Sequence, residues 1–131
     1  MENGIQLSNG EFAEMVFQRI KQFGFRCIPV CDDLFTKTLS AKNITKQLTR
    51  SSASSVANYR AARRSRSSNE FFAKLSVVTE ELDESLFWLE YSIDAEFYQE
   101  PKLKSLIEEG YEILKILSKS RKSTGQSLRK E

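Results

Sequence analysis

The stretch Phe71-Phe72-Ala73-Lys74-Leu75-Ser76-Val77-Val78-Thr79-Glu80-Glu81-Leu82-Asp83-Glu84-Ser85-Leu86-Phe87-Trp88-Leu89-Glu90-Tyr91-Ser92-Ile93 decides the fold. Phe71, Leu75, Val78, Leu82, Leu86 (or Ser85 beside it), Leu89 and Ile93 recur at a spacing of roughly 3.5 residues, the period of a helix that lays one face on another. Phe72, Phe87, Trp88 and Tyr91 add a second stripe. The helix is therefore apolar over more than one narrow seam, and the extra width around Phe87, Trp88 and Tyr91 is expected to be covered by another subunit. Ser67 or Ser68 stands where an N-cap belongs, and Glu70 follows in the first turn, where the helix dipole favours an anion.

Working toward the C-terminus, Pro101 suits the first turn of a further helix. Leu103, Leu106, Ile107, Tyr111, Leu114 and Leu117 line its inner face, Ile113 and Ile116 widen it, and Gly110 interrupts it. From Ser120 to Glu131 the chain turns to Ser, Thr, Gly, Gln, Arg and Lys and reads as a basic, disordered tail. Working toward the N-terminus, Ile44, Leu48, Ser51, Ser55 and Tyr59 place one helix over about residues 43–64, after a polar connection at 38–43. Its middle is mostly Ser and Ala, a composition that lets two helices approach closely. The first helix spans about 9–38, capped by Ser8 or Asn9, with Phe12, Val16, Ile20, Phe23, Cys27 and Cys31 inward. Pro29 could end it. The apolar phase runs through that proline, so a kink in one long helix is expected instead.

The 131 residues suffice for one domain, and at 40% hydrophobic they can bury a core. Two prolines and five glycines are too little punctuation for a turn-rich sheet architecture. The expectation is an all-α, antiparallel up-down four-helix bundle over residues 1–119, followed by the tail at 120–131. A long helical hairpin that dimerises is the alternative, and the loops at 38–43 and 96–101 weigh against it. No run approaches the roughly 18 apolar residues of a membrane span. Met1–Gly10 is polar and carries Glu2, unlike a secretory or transit segment, so a cytoplasmic protein with no membrane partner is expected. Cys27 and Cys31 read as buried thiols. With no histidine in the chain, no metal and no cofactor is expected.

Charge is distributed unevenly. Between Thr36 and Asn69 lie eight basic residues and no acid, and between Glu70 and Pro101 nine acids and one base. Arg60, Arg63 and Arg64 share one helix face with Arg66 just beyond, and Lys46 and Arg50 precede them. One reading is a solvent-facing ridge that touches RNA or DNA phosphates without reading bases. The other is an interaction or scaffold module, in which these arginines pair with Glu70 and the acidic face of the third helix and serve folding and assembly alone. Asn58, among small residues, is expected either to face solvent or to join Glu70, Glu80 and Glu84 in a polar network that sets the register of the second and third helices. A poised base, a nucleophile pair or a phosphate loop is missing from the sequence, so an enzyme is not expected. Glu80 and Glu84 share a face but lack the Glu-x-x-His partners of a bundle metal site.

The run Gln47-Leu48-Thr49-Arg50-Ser51-Ser52-Ala53-Ser54-Ser55-Val56-Ala57-Asn58-Tyr59-Arg60-Ala61-Ala62-Arg63-Arg64, continued by Ser65 to Leu75 and by Glu80 to Glu90, resembles the signature of the bacterial four-helix bundle family. That family is also called the 23S ribosomal RNA intervening-sequence protein family, and the resemblance spans about residues 15–118. It implies a left-handed up-down bundle assembled as a ring-like homopentamer. Genes of the family lie within intervening sequences of ribosomal RNA genes or alone on bacterial chromosomes. A related group serves reverse transcriptases of diversity-generating retroelements, where a similar basic pentamer binds nucleic acid. Asn58-Tyr59-Arg60-Ala61-Ala62 replaces the Asn-Ile-Ala-Glu-Gly of many members and places the chain in an arginine-bearing branch, in which a glycine often stands where Ser52 does here.

Overall fold

In the computed structural model, which describes residues 7–130, α1 runs over Asn9–Phe35, α2 over Leu39–Arg63, α3 over Ser68–Asp94 and α4 over Glu100–Arg129. Three starts are fixed by hydroxyl caps. Ser8 Oγ accepts the Glu11 N–H while the Glu11 carboxylate accepts the Ser8 N–H, a complete capping box. Thr38 Oγ1 accepts from Ala41 N at 3.1 Å, and Ser67 Oγ accepts from Glu70 N at 3.1 Å. The α2 start differs from the expected polar connection at 38–43. Thr38 itself is the cap, and Ala41 and Ile44 are already buried, so tertiary packing extends the helix back to Leu39.

Each helix packs against its sequence neighbours and α4 returns to α1, giving a four-helix bundle. The core is a column of side chains that includes Ile20, Phe23, Leu34, Ile44, Leu48, Leu75, Leu82, Leu86, Leu89, Ile113 and Leu117, all essentially inaccessible. Each contributes about 1.5–3 kcal/mol on burial. Gly110 is a deliberate gap in this column. A Cβ there would lie 2.6 Å from Leu86 Cδ2 and 2.8 Å from Phe23 Cε1, so the bare backbone of α4 makes room for two core side chains. The α1–α4 seam carries fewer contacts than the others and is fastened by a two-pronged ion pair. Arg19 Nε and Nη2 reach the Glu109 carboxylate at 2.9 and 2.7 Å.

α1 passes through Pro29 without a break. Pro29 removes the hydrogen bond to the carbonyl of Phe25, but both residues are exposed, so water can serve that carbonyl. The expected tail is replaced by helix. α4 continues to Arg129 because the Phe72 ring of α3 covers it. Arg121 lies 4.6 Å from the ring centroid, Gly125 is buried beneath the same ring, and Arg121 Nε donates to Ser76 Oγ at 2.7 Å. Composition alone read Gly125 and its serine neighbours as disorder; the partner that orders them lies some fifty positions away, on α3.

The turn between α3 and α4 closes as a Schellman motif. Phe97 N donates to Ser92 O and Glu96 N to Ile93 O, at 2.9 Å each, with Glu96 at φ 65°. Glu96 thus occupies a left-handed position that favours glycine.

Candidate nucleic-acid interface

A groove of about 980 Å³ runs between α1 and α2. It exists because the facing residues are small. Ser52, Ala53, Val56 and Ala57 of α2 and Gly24 of α1 form its floor, and a Cβ on Gly24 would already meet Val56 Cγ2 at 3.1 Å. Phe25 and Ile28, 52% and 54% exposed, stand along its α1 wall. Lys21, Arg60, Arg63 and Arg64 gather at one end, and Asp32 lies at the other with Cys31 and Thr49.

Two of these cations are fixed in place by one aromatic ring. Lys21 Nζ is 5.1 Å and Arg63 Cζ 5.7 Å from the centroid of Phe17, whose negative face attracts both. Phe17 in turn stacks on Tyr59 at 6.4 Å. Arg63 is also bound by Glu14 at 2.6 Å, and hydrogen bonds from Gln18 and Arg63 hold the Glu14 carboxylate below its usual range. Arg60 and Arg64 are exposed and have no carboxylate partner among the described residues.

The six cations proposed as a phosphate ridge do not form one surface. Arg50 is held between Glu81 (2.8 Å) and Glu84 (2.6 Å) on α3, outside the groove that Arg60, Arg63 and Arg64 line. Those carboxylates raise the Arg50 guanidinium further, and Arg50 is the largest influence lowering Glu84. Lys46 lies apart, in a smaller groove with Phe35, Leu39 and Tyr91. Arg66 extends past the end of α2, 89% exposed, with a loose 3.5 Å contact to Glu70. Arg60, Arg63 and Arg64 do come together, and Lys21 joins them. Lys21 was not among the cations expected there, although Phe17, Lys21, Gly24, Phe25 and Ile28 follow one another at helical spacing beside the core stripe of α1.

The expected network of Asn58, Glu70, Glu80 and Glu84 is not assembled. Asn58 Nδ2 donates to Ser54 O and Ser54 Oγ in its own helix, Glu70 is bound by Arg66, Glu84 by Arg50 and Trp88, and Glu80 is exposed. α2 and α3 are tied instead by the buried Ser51–Ser85 hydrogen bond and, at the surface, by Arg50 with Glu81 and Glu84. Phe87, Trp88 and Tyr91 form a mutually packed aromatic cluster, with centroids 4.9–5.7 Å apart. Phe87 and Tyr91 remain about half exposed, whereas Trp88 is pinned by its Nε1 donating to Glu84 at 3.2 Å.

Two buried thiols lie on α1, and Cys31 lines the groove. Burial pushes the Cys27 thiol up to about 12 and raises that of Cys31 too, so both stay protonated and unreactive. No group of three or more Cys, Asp or Glu among the described residues is arranged to hold a metal, and no helix there is long and apolar enough to cross a membrane.

Fold and groove together define a small helical-bundle protein with a cationic cleft on one face. The chain belongs to the 23S rRNA-intervening sequence protein family, which matches residues 14–119. It is similar to the crystal structure of a protein of unknown function from the S23 ribosomal protein family of Bacteroides thetaiotaomicron VPI-5482. That likeness has a TM-score of 0.76 at 26% identity and covers 84% of this chain and 97% of the other. No curated protein matches the chain.

Proposed function

We propose that the protein is a non-enzymatic, homo-oligomeric bundle that binds RNA or DNA without base-specific readout, through Arg60, Arg64 and the Lys21–Arg63 pair at the cationic end of the α1–α2 groove. The observation that carries this reading is that Arg60 and Arg64 stand exposed, without carboxylate partners among the described residues, beside two further cations held on the Phe17 ring. Guanidinium groups left unneutralised and close together suit phosphate oxygens, and several copies in one assembly would add their fields. Self-association rests on the exposed cluster of Phe87, Trp88 and Tyr91, an aromatic surface that an isolated bundle leaves in water. The free, buried thiols agree with a cytoplasmic setting.

Titrating labelled RNA and DNA at two salt concentrations tests the reading. Binding must strengthen as salt falls, and the absence of binding at about 50 mM salt rejects it. Light scattering tests assembly: a mass of five chains is expected from the family resemblance, and a monomer overturns self-association. A second reading, a scaffold whose charges serve folding only, is favoured by the pairing of Arg50 with Glu81 and Glu84. It does not account for Arg60 and Arg64.

A further inference from the structure

We infer that the nucleic acid this groove takes is single-stranded, with an unpaired base lying on the apolar floor against Phe25 while its flanking phosphates meet Arg60 and Arg64. The inference rests on the nucleic-acid reading above and specifies its ligand. A basic surface alone suits any nucleic acid, because a duplex and a single strand both present phosphates. What distinguishes this surface is that its cations open directly onto apolar side chains. Phe25 and Ile28 are each more than half exposed, and Val56, Ala53 and Ala57 continue the floor between the helices.

A duplex keeps its bases stacked inside and would cover the arginines while leaving this floor in water. A single strand supplies free base faces, and a base placed on an aromatic side chain gains stacking whatever its sequence. The groove has the dimensions for this: about 980 Å³ lies near the upper end of the range of sites for small organic ligands. Its electrical polarity sets the orientation. Lys21, Arg60, Arg63 and Arg64 draw phosphate to one end, while Asp32 repels phosphate from the other.

The depth of the floor depends on small residues. Gly24 is buried and lets the two helices approach closely, while Ala53 and Ala57 are exposed and their short side chains leave the space above the floor open. Phe25 and Ile28 are held out of the core at a surface where helix packing does not need them.

The test compares the full-length protein and its Phe25→Ala and Ile28→Ala variants by fluorescence anisotropy. The probes are a labelled oligothymidylate of roughly 20 nucleotides and a duplex of equal length, each at two salt concentrations. Single-strand binding at least roughly tenfold tighter than duplex binding is expected. Phe25→Ala should weaken the single strand roughly 5- to 100-fold while leaving duplex affinity and the salt slope unchanged. Both positions are exposed on a helix, and circular dichroism confirms that the variants fold. Equal or tighter duplex binding overturns the inference, as does a Phe25→Ala variant that binds the single strand like the parent. If Phe25→Ala instead dissociates the oligomer in light scattering, the groove takes a second copy of the chain and the inference fails. Loss of all binding by the parent protein at low salt is a different outcome: it rejects the nucleic-acid reading itself.

Discussion

Ser51 and Ser85 meet across the α2–α3 seam with their hydroxyl oxygens 2.8 Å apart, both fully buried. Ser85 also donates to Glu81 O at 3.0 Å, so the pair shares its protons between a neighbouring helix and the preceding turn. Small, hydrogen-bonded residues let the two helices lie close, and this is the most extensively packed pair in the bundle. Ser85→Ala leaves Ser51 Oγ with only a 3.5 Å contact to Leu48 O, and a loss of about 1–2 kcal/mol in urea unfolding is expected. Ser51→Leu forces side-chain bulk into the seam and should cost about 1–3 kcal/mol from overpacking, while Ser85 keeps its hydrogen bond to Glu81 O. A Ser51→Leu protein as stable as the parent would show that the seam is not close-packed.

Gly110 is the position at which α4 admits Phe23 and Leu86. Gly110→Ala gains about 1 kcal/mol of helix propensity but sets a methyl group against two buried core side chains. Net destabilisation of about 1–2 kcal/mol is expected, read from the chemical denaturation midpoint at unchanged slope. Stabilisation would mean that Leu86 and Phe23 repack freely.

Glu96 lies in the left-handed region at the Schellman turn that follows α3. Replacing it by glycine removes the steric cost of that conformation, and Glu96→Gly should raise stability by about 0.5–1 kcal/mol. The thermal midpoint of the variant is the measurement, and a lowered midpoint would contradict the assignment.

The Cys27 thiol is pushed from its ordinary value of 9.0 to about 12 by burial, with Cys31 adding to the shift. Its folded pKa is raised, so the neutral thiol's contribution is fully present below pH 9 and is lost as the pH climbs from 9 toward 12, where only the unfolded chain releases the proton. Stability should therefore fall over that window, and less steeply in Cys27→Ala, whatever the size of its cavity penalty. Below pH 9, a disulfide reagent should modify Cys27 only after denaturant is added. Rapid modification of the native protein would contradict the burial.

The fold was largely legible in the sequence because the apolar periodicity of α3 and α4 is strong and the caps at Ser8 and Ser67 are local signals. Two boundaries were not legible, for one physical reason. Thr38 to Asn43 and Ser120 to Arg129 are polar stretches whose helicity comes from partners distant in sequence, and Gly125 in particular is ordered by Phe72. At the site, Arg60, Arg63 and Arg64 could be grouped from their spacing alone. Arg50 could not be separated from them, because the pairing that engages it, with Glu81 and Glu84, depends on how α2 and α3 are set against each other. Lys21 escaped because a single lysine beside a phenylalanine reads as ordinary surface until Arg63 is placed over the same ring.

The central claim, that the exposed arginines at the groove mouth bind phosphate, is tested most directly by the salt dependence of oligonucleotide affinity in the parent and in an Arg60→Gln/Arg64→Gln double variant. Neither arginine has a carboxylate partner among the described residues, so the thermal midpoint should fall only slightly, through the loss of two cations at the C-terminal end of α2. Affinity should fall, and the slope of log Kobs against log salt should become shallower by roughly 1–2, the share of two phosphate contacts. A double variant with the parent's affinity and slope would contradict the account.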